Sequence, residues 1–266
     1  MTPPLAPTCF ARQFLSEPQP GSAAFHAAWP GSVHGADVHG HCVWFERLRD
    51  VDIRALMALS DEQLAAHRGQ TLEALALERR AAAAAAGRAS PLYTQHIYVL
   101  DVGGVSPGLL LSGAARRVLC AVGKACSSYY GETLWRVYMV HVHAGARIAW
   151  SLLRPLVCGA DTAAKVRLCG GAADLRRAAA RDGLPESSLP TALGGGHAGV
   201  AVAALVEAAL QRSQQQRLKQ AEREEAPLDA PDTPPLRDAW RTSPRLAMKR
   251  VVSVCWTGSE ADEEEY

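Results

Sequence analysis

Long apolar runs are missing from this sequence. The longest, Ala198–Leu210, is interrupted by Glu207 and falls short of the ~20 residues needed to span a bilayer, so no membrane-crossing helix is expected. An excess of one charge is missing too: 28 Lys+Arg face 27 Asp+Glu, a net charge of +1. That balance excludes a polybasic membrane anchor and bulk nucleic-acid binding driven by phosphate neutralisation. The seven cysteines (Cys9, Cys42, Cys120, Cys126, Cys158, Cys169, Cys255) include no C-x-x-C pair. They read as reduced, mostly buried intracellular thiols rather than zinc ligands or a dithiol redox motif. No G-x-x-x-x-G-K-[ST] loop and no G-x-S-x-G elbow occurs, which removes the two commonest phosphate and acyl-transfer signatures. Met1–Ser16 lacks acids and holds Arg12 but shows no basic-then-apolar leader, so a cytoplasmic protein is expected.

What is present is enough chain for a full core: 266 residues, 48% of them hydrophobic and 21% charged. Residues 1–28 are rich in Pro, Ala and Gly without periodicity and read as a flexible arm. Strands are expected at 42–48, around Val43-Trp44-Phe45, and at 96–102, where His96-Ile-Tyr-Val-Leu-Asp-Val102 is apolar enough for a strand covered on both faces. Two more are expected at 136–142 and 165–168. Helices are expected at 61–86, opened by the Ser60-x-x-Gln63 capping box, and at 107–129, 146–158 and 198–225. Residues 226–266 read as a disordered Pro-rich linker and acidic tail. Strands alternating with helices predict an α/β fold around a mostly parallel sheet.

Most familiar chemistry fails on inspection. Asp101-Val-Gly-Gly-Val-Ser-Pro-Gly108 stands where a dinucleotide fingerprint would, but Val105 breaks the G-x-G-x-x-G spacing. His34, His39 and His41 crowd one turn, and His141 and His143 form an H-x-H, yet no carboxylate motif accompanies them, so no metal is expected. The helix at 146–158 is more informative. Arg147 and Arg154, seven residues apart, form one narrow polar stripe, while Ile148, Trp150, Leu152, Leu153, Leu156 and Val157 cover nearly everything else. Such a helix needs apolar surroundings on more than one side, and two readings fit: a core helix between two layers, or a lid between an apolar cavity and a bilayer.

Five pieces, in order, resemble the CRAL-TRIO lipid-binding domain, in particular that of the secretory phosphatidylinositol/phosphatidylcholine transfer proteins. Asp37-Val-His-Gly-His-Cys-Val-Trp-Phe-Glu-Arg-Leu48 resembles that family's D-x-x-G-R-P-V-x-x-x-x-L, and Ile97-Tyr-Val-Leu-Asp-Val-Gly-Gly-Val105 its I-x-D-x-x-G-x strand and turn. Tyr129-Tyr-Gly-Glu-Thr-Leu-Trp-Arg-Val-Tyr-Met-Val140 resembles Y-Y-P-E-R with the strand after it. Trp150-Ser-Leu-Leu-Arg-Pro-Leu-Val157 with Lys165-Val166 resembles F-x-x-x-K-P-F-L and K-I, and Leu189-Pro-Thr-Ala-Leu-Gly-Gly195 resembles L-P-x-x-x-G-G.

The resemblance implies an α/β domain over 29–197 in which a mostly parallel five-stranded sheet floors a hydrophobic lipid cavity, covered by helices that include a gating helix at 146–158. It implies intracellular binding, and transfer or sensing, of a phospholipid or other hydrophobic ligand between membranes. A cargo-free interaction module is the alternative. No bond is broken, so neither enzyme activity, cofactor nor metal is implied. The expected partners are the lipid and a transient membrane surface, with no nucleic acid, and the protein is expected to be cytoplasmic and peripherally membrane-associated. Cavity and gate candidates are Trp44, Tyr98, Tyr138, His141, His143, Ile148, Trp150, Leu152, Leu153 and Leu156; headgroup candidates are Asp174 and Thr191. Ala192 stands where the family has its headgroup lysine, Arg147 and Ile148 stand where it has a hydroxyl pair, and His141 and His143 where it has Asn and Pro. A zwitterionic or uncharged lipid is therefore expected over phosphatidylinositol.

Overall fold

The structure, a computed structural model, describes residues 14–85, 95–106, 108–109, 112–157 and 160–225. The chain divides into two units, Met1–Lys219 and Gln220–Tyr266; of the second only the end of one helix is described. In chain order come α1 (Ser22–Ala28), β1 (Gly31–Ala36), β2 (Cys42–Arg47), α2 (Ile53–Leu56), α3 (Asp61–Ala85), β3 (His96–Asp101), α4 (Gly113–Tyr130) and β4 (Leu134–Val140). They are followed by α5 (Ala144–Val157), α6 (Ala160–Ala164), β5 (Val166–Leu168), α7 (Ala172–Arg181), β6 (Val200–Ala201) and α8 (Val202–Glu225). The capping box opens α3 as expected: Gln63 N donates to Ser60 Oγ at 3.2 Å, and Ser60 N donates to Gln63 Oε1 at 2.8 Å.

The sheet has six strands rather than five, in the order β5-β4-β3-β2-β1-β6. Strands β2 to β5 run parallel, and β1 pairs antiparallel with both β2 and β6. β3 lies between parallel neighbours and is covered on both faces. Ile97 and Val99 pack with Val43, Phe45, Tyr138 and Val140 against Leu175 and Ala179 of α7 and against Leu189 and Leu193. Side chains alternate along a strand, so Trp44, Tyr98, Leu100 and Met139 face the other way, towards α3 and α4. The L-P-x-x-x-G-G segment closes the α7 side. Gly194 takes the left-handed φ of 80° that ends the turn Thr191–Leu193, and a side chain at Gly195 would meet the Leu189 carbonyl oxygen at 2.2 Å.

The segment read as a flexible arm is packed from Phe14 to Ala28. Leu15, Phe25 and Ala28 are buried, and Gln70 Nε2 of α3 donates to the carbonyls of Phe14 (2.9 Å) and Glu17 (3.0 Å). Three apolar side chains suffice to hold so short a segment once α3 offers donors for its carbonyls. The linker and tail read at 226–266 lie outside the described residues.

Folding also buries histidines. Burial, then repulsion from His67 and Arg68, lowers the His26 pKa from 6.5 to about 4, and burial also lowers His34 and His67. Between those two values the unfolded chain holds a proton on His26 that the folded chain does not, so stability falls as the pH drops from about 6.5 towards about 4. Thermal unfolding followed from pH 7 to pH 5 should show a falling Tm, and His26→Gln should flatten the slope.

Candidate lipid-binding site

The α3/α4 side of the sheet carries a half-open cavity of about 220 Å³. β2 contributes Trp44, β3 contributes His96, Tyr98 and Leu100 at alternate positions, and β4 contributes Leu134, Val137 and Met139. Leu72 of α3, Leu119, Val122 and Cys126 of α4 and Trp150 of α5 form the roof. The wall is almost wholly apolar, the kind of lining that suits a hydrophobic ligand.

One buried carboxylate gathers the polar groups beside it. Glu46 accepts from Trp29 Nε1 (2.8 Å), from the Tyr98 hydroxyl (2.5 Å) and from Arg68 through Nη1 (2.7 Å) and Nη2 (3.2 Å). The Arg68 guanidinium carbon lies 4.5 Å from the ring centres of both Trp29 and Trp44, a cation held between two aromatic faces. Burial works against the Arg68 charge, but the Glu46 carboxylate outweighs it and raises the pKa; burial followed by the same carboxylate drives the Tyr98 phenol well upward. The knot leaves Glu46 and Arg68 neutral as a pair, so they add little field to the cavity.

The structure brings three of the sequence candidates, Trp44, Tyr98 and Trp150, to the cavity wall. Tyr138 is a correction. It is fully buried on the opposite face, because residues 137 and 139 point to the cavity and 138 must point away, and its hydroxyl donates to Asp182 Oδ2 at 2.6 Å. Tyr138→Phe should therefore lower stability by roughly 1.5 kcal/mol, the worth of a hydrogen bond to a charged group, and leave hydrophobe uptake unchanged; denaturant unfolding and a binding titration check the two halves.

His141 does not line the cavity either. It sits past the end of β4 with a positive φ of 59°, and its Nδ1 lies 2.7 Å from Asp101 Oδ1. His143 is exposed. Ile148 and Leu152 lie on the outward face of α5, 64% and 61% exposed, rather than against the cavity. The side chains of Leu153 and Leu156 lie outside the described ones. Thr191 and Ala192 are exposed. Asp174, in the first turn of α7, pairs with Arg177 and accepts from Gly170 N at 2.9 Å. It belongs to an open groove beside β5 lined also by Arg167 and Arg181, with the Arg147 charge of α5 acting on it from nearby. Among the described residues no group of three or more His, Cys, Asp or Glu gathers at metal-binding distance, and no helix is long and apolar enough to cross a membrane.

Comparison with known proteins gives two curated relatives, the phosphatidylinositol/phosphatidylcholine transfer proteins SFH11 and SFH12 of Arabidopsis thaliana. The first is 29% identical over 171 residues, covering 63% of this chain and 43% of the relative; the second is 29% identical over 170 residues, covering 63% and 30%. The chain is CRAL-TRIO-like. No family model matches it. A crystal structure of Sfh5 aligns with a TM-score of 0.46 and 15% identity, covering 58% of this chain and 53% of that one. This CRAL-TRIO-like chain spans less than half the length of the curated relatives it matches.

The sequence reading missed Glu46, Arg68, His96 and the α4 wall. His96 and Leu100 were accessible from the two-residue alternation with Tyr98. Arg68 was not, because an arginine in the charged, alanine-rich α3 looks like any solvated one until the fold places it between two tryptophans.

Proposed function

We propose that the chain binds a phospholipid or other hydrophobic ligand in the cavity and exchanges it at a membrane, without making or breaking a covalent bond. The single observation that carries this reading is an apolar cavity against the sheet, roofed by α5, whose other face exposes Ile148 and Leu152. The names of the two relatives, both phospholipid transfer proteins, support the same reading. Apolar cargo loses about 0.8 kcal/mol per methylene on passing through water, so exchange favours a route in which the roof meets the bilayer directly. The arginines around the α5/α7 side, Arg147, Arg167 and Arg181, suit a lipid surface carrying negative charge. On this reading the protein works peripherally on a cytoplasmic membrane face.

At about 220 Å³ the cavity lies below the ~300–1,000 Å³ of common ligand pockets. A two-chain lipid therefore requires α5 to move outward, while a single chain does not. The same small volume favours a second reading, a cargo-free interaction module. Movement of a fluorescent phospholipid from donor to acceptor vesicles separates the two: catalysed transfer supports the first, and no transfer together with failure to bind any single-chain hydrophobe supports the second.

A further inference from the structure

β5 separates two concavities, because neighbouring side chains on a strand point to opposite faces. Val166 lines the apolar cavity, whereas Arg167 lines the groove on the α7 side. That groove has a volume of about 720 Å³, within the ~300–1,000 Å³ of common ligand pockets. Its floor is formed by Cys169 and Ala178, both buried, and burial followed by the Asp174 charge pushes the Cys169 thiol up, so the floor is uncharged. Its walls carry Arg167 from β5 and Arg177 and Arg181 from α7, all three exposed and open to a ligand. Arg177 and Arg181 stand four residues apart on one helix face, a spacing at which like charges repel. A single acid in the groove answers them. Asp174 pairs with Arg177 and accepts from Gly170 N at 2.9 Å; these two bonds, with the Arg147 charge of α5 behind them, hold its carboxyl below the usual range. The other acids on this side are committed elsewhere: Asp182 accepts from the Tyr138 hydroxyl and pairs with Arg136, and Glu186 lies 3.8 Å from Arg176. Among the described residues, no carboxylate pairs with Arg147, Arg167 or Arg181.

We propose that this groove is a binding site for a ligand carrying clustered phosphate groups, held by Arg167, Arg177 and Arg181 with the Arg147 charge of α5 beside them. It is a second site, on the other face of β5 from the cavity. The charge count sets the class of ligand. Once Asp174 has neutralised Arg177, three cations are left, and a phosphate monoester carries about −1.5 to −2 at neutral pH, so about two phosphates balance them where a lone carboxylate does not. The donors come from a strand and two helices rather than from one planar fork, which suits tetrahedral phosphates approached from several sides. A membrane lipid headgroup and a soluble phosphorylated molecule share this chemistry, and the test separates them.

The test uses the full chain at neutral pH, titrated calorimetrically with inositol 1,4,5-trisphosphate, inorganic phosphate and hexaglutamate. The trisphosphate should bind at least about tenfold more tightly than either of the others, and its binding should weaken as salt is raised from about 0.05 M to about 0.5 M. Arg167→Gln with Arg181→Gln should weaken it about tenfold to a hundredfold, while the Tm of the free protein stays unchanged or rises because unanswered like charges have been removed. Arg54→Gln with Arg116→Gln removes two exposed arginines outside the groove and should leave trisphosphate binding within about twofold. Sedimentation with phosphatidylcholine vesicles identifies the source. Capture by vesicles holding phosphatidylinositol 4,5-bisphosphate beyond that by phosphatidylserine vesicles of equal charge assigns the phosphates to a lipid headgroup; trisphosphate binding without such capture assigns them to a soluble ligand, and either result supports the site. Hexaglutamate or inorganic phosphate binding as tightly as the trisphosphate would overturn the ligand class, and equal losses in the two double variants would overturn the groove. Absence of trisphosphate binding, or a Tm that falls in Arg167→Gln with Arg181→Gln, would overturn the site altogether. None of these outcomes touches the cavity, so the lipid-exchange reading stands or falls separately, on the vesicle transfer assay.

Discussion

Arg68→Met should lower the stability of the protein by about 3–5 kcal/mol, the cost of leaving one member of a buried ion pair without the other. The substitution strands the Glu46 carboxylate, 2% exposed, with only the Trp29 and Tyr98 donors, and removes the cation held between Trp29 and Trp44. For a domain of this size the corresponding fall in Tm is roughly 10 °C. Methionine fills much of the space, so the loss reports the charge and not a void. Glu46→Gln with Arg68→Met should recover a large part of it, since a neutral amide tolerates burial beside two donors better than a carboxylate does.

The second large effect concerns the outer face of α5. Ile148→Asp with Leu152→Asp should slow lipid transfer between anionic vesicles by more than a hundredfold while thermal stability stays within about 0.5 kcal/mol of the parent, because both side chains are exposed in the folded protein. Burying each of the two original side chains in a bilayer is worth about 1.5–3 kcal/mol, and each aspartate adds a charge that must be kept out of it. Vesicle sedimentation and stopped-flow transfer read the two consequences, loss of docking and loss of exchange. Binding of a single-chain hydrophobe in the absence of vesicles should persist, since neither residue lines the cavity. Unchanged transfer at unchanged stability would remove α5 from the route.

Much of the architecture was legible because its signals are local. The capping box at Ser60 and Gln63, the doubly covered His96-Ile-Tyr-Val-Leu-Asp101 and the alternation of strands with helices are all set by near neighbours. β1 was not legible. Gly31-Ser-Val-His-Gly-Ala36 holds one strong strand former and two glycines, and it becomes a strand because β2 offers it an antiparallel partner; Gly35 is needed there since a side chain would meet Ser188 Oγ at 2.5 Å. The site was legible in part for a related reason. In a strand apolar on both faces, alternation says that Tyr138 and Met139 point opposite ways but not which of them faces the cavity, and only the covering helices decide. Ile148 and Leu152 carry the same ambiguity on α5, where a helix apolar nearly all round does not mark its inner side. The polar interior was the least legible, because Glu46 and Arg68 lie far apart in sequence from the groups that make their burial meaningful.

The most direct test of the central claim is to purify the full chain under non-denaturing conditions, extract it with organic solvent and quantify by mass spectrometry every hydrophobe released per mole of protein. A lipid-binding cavity predicts a defined hydrophobe near one per chain, lost from a Val122→Arg variant that places a charge in the roof. Recovery of no hydrophobe above the level of that variant, together with no uptake of offered single-chain lipid, would contradict it.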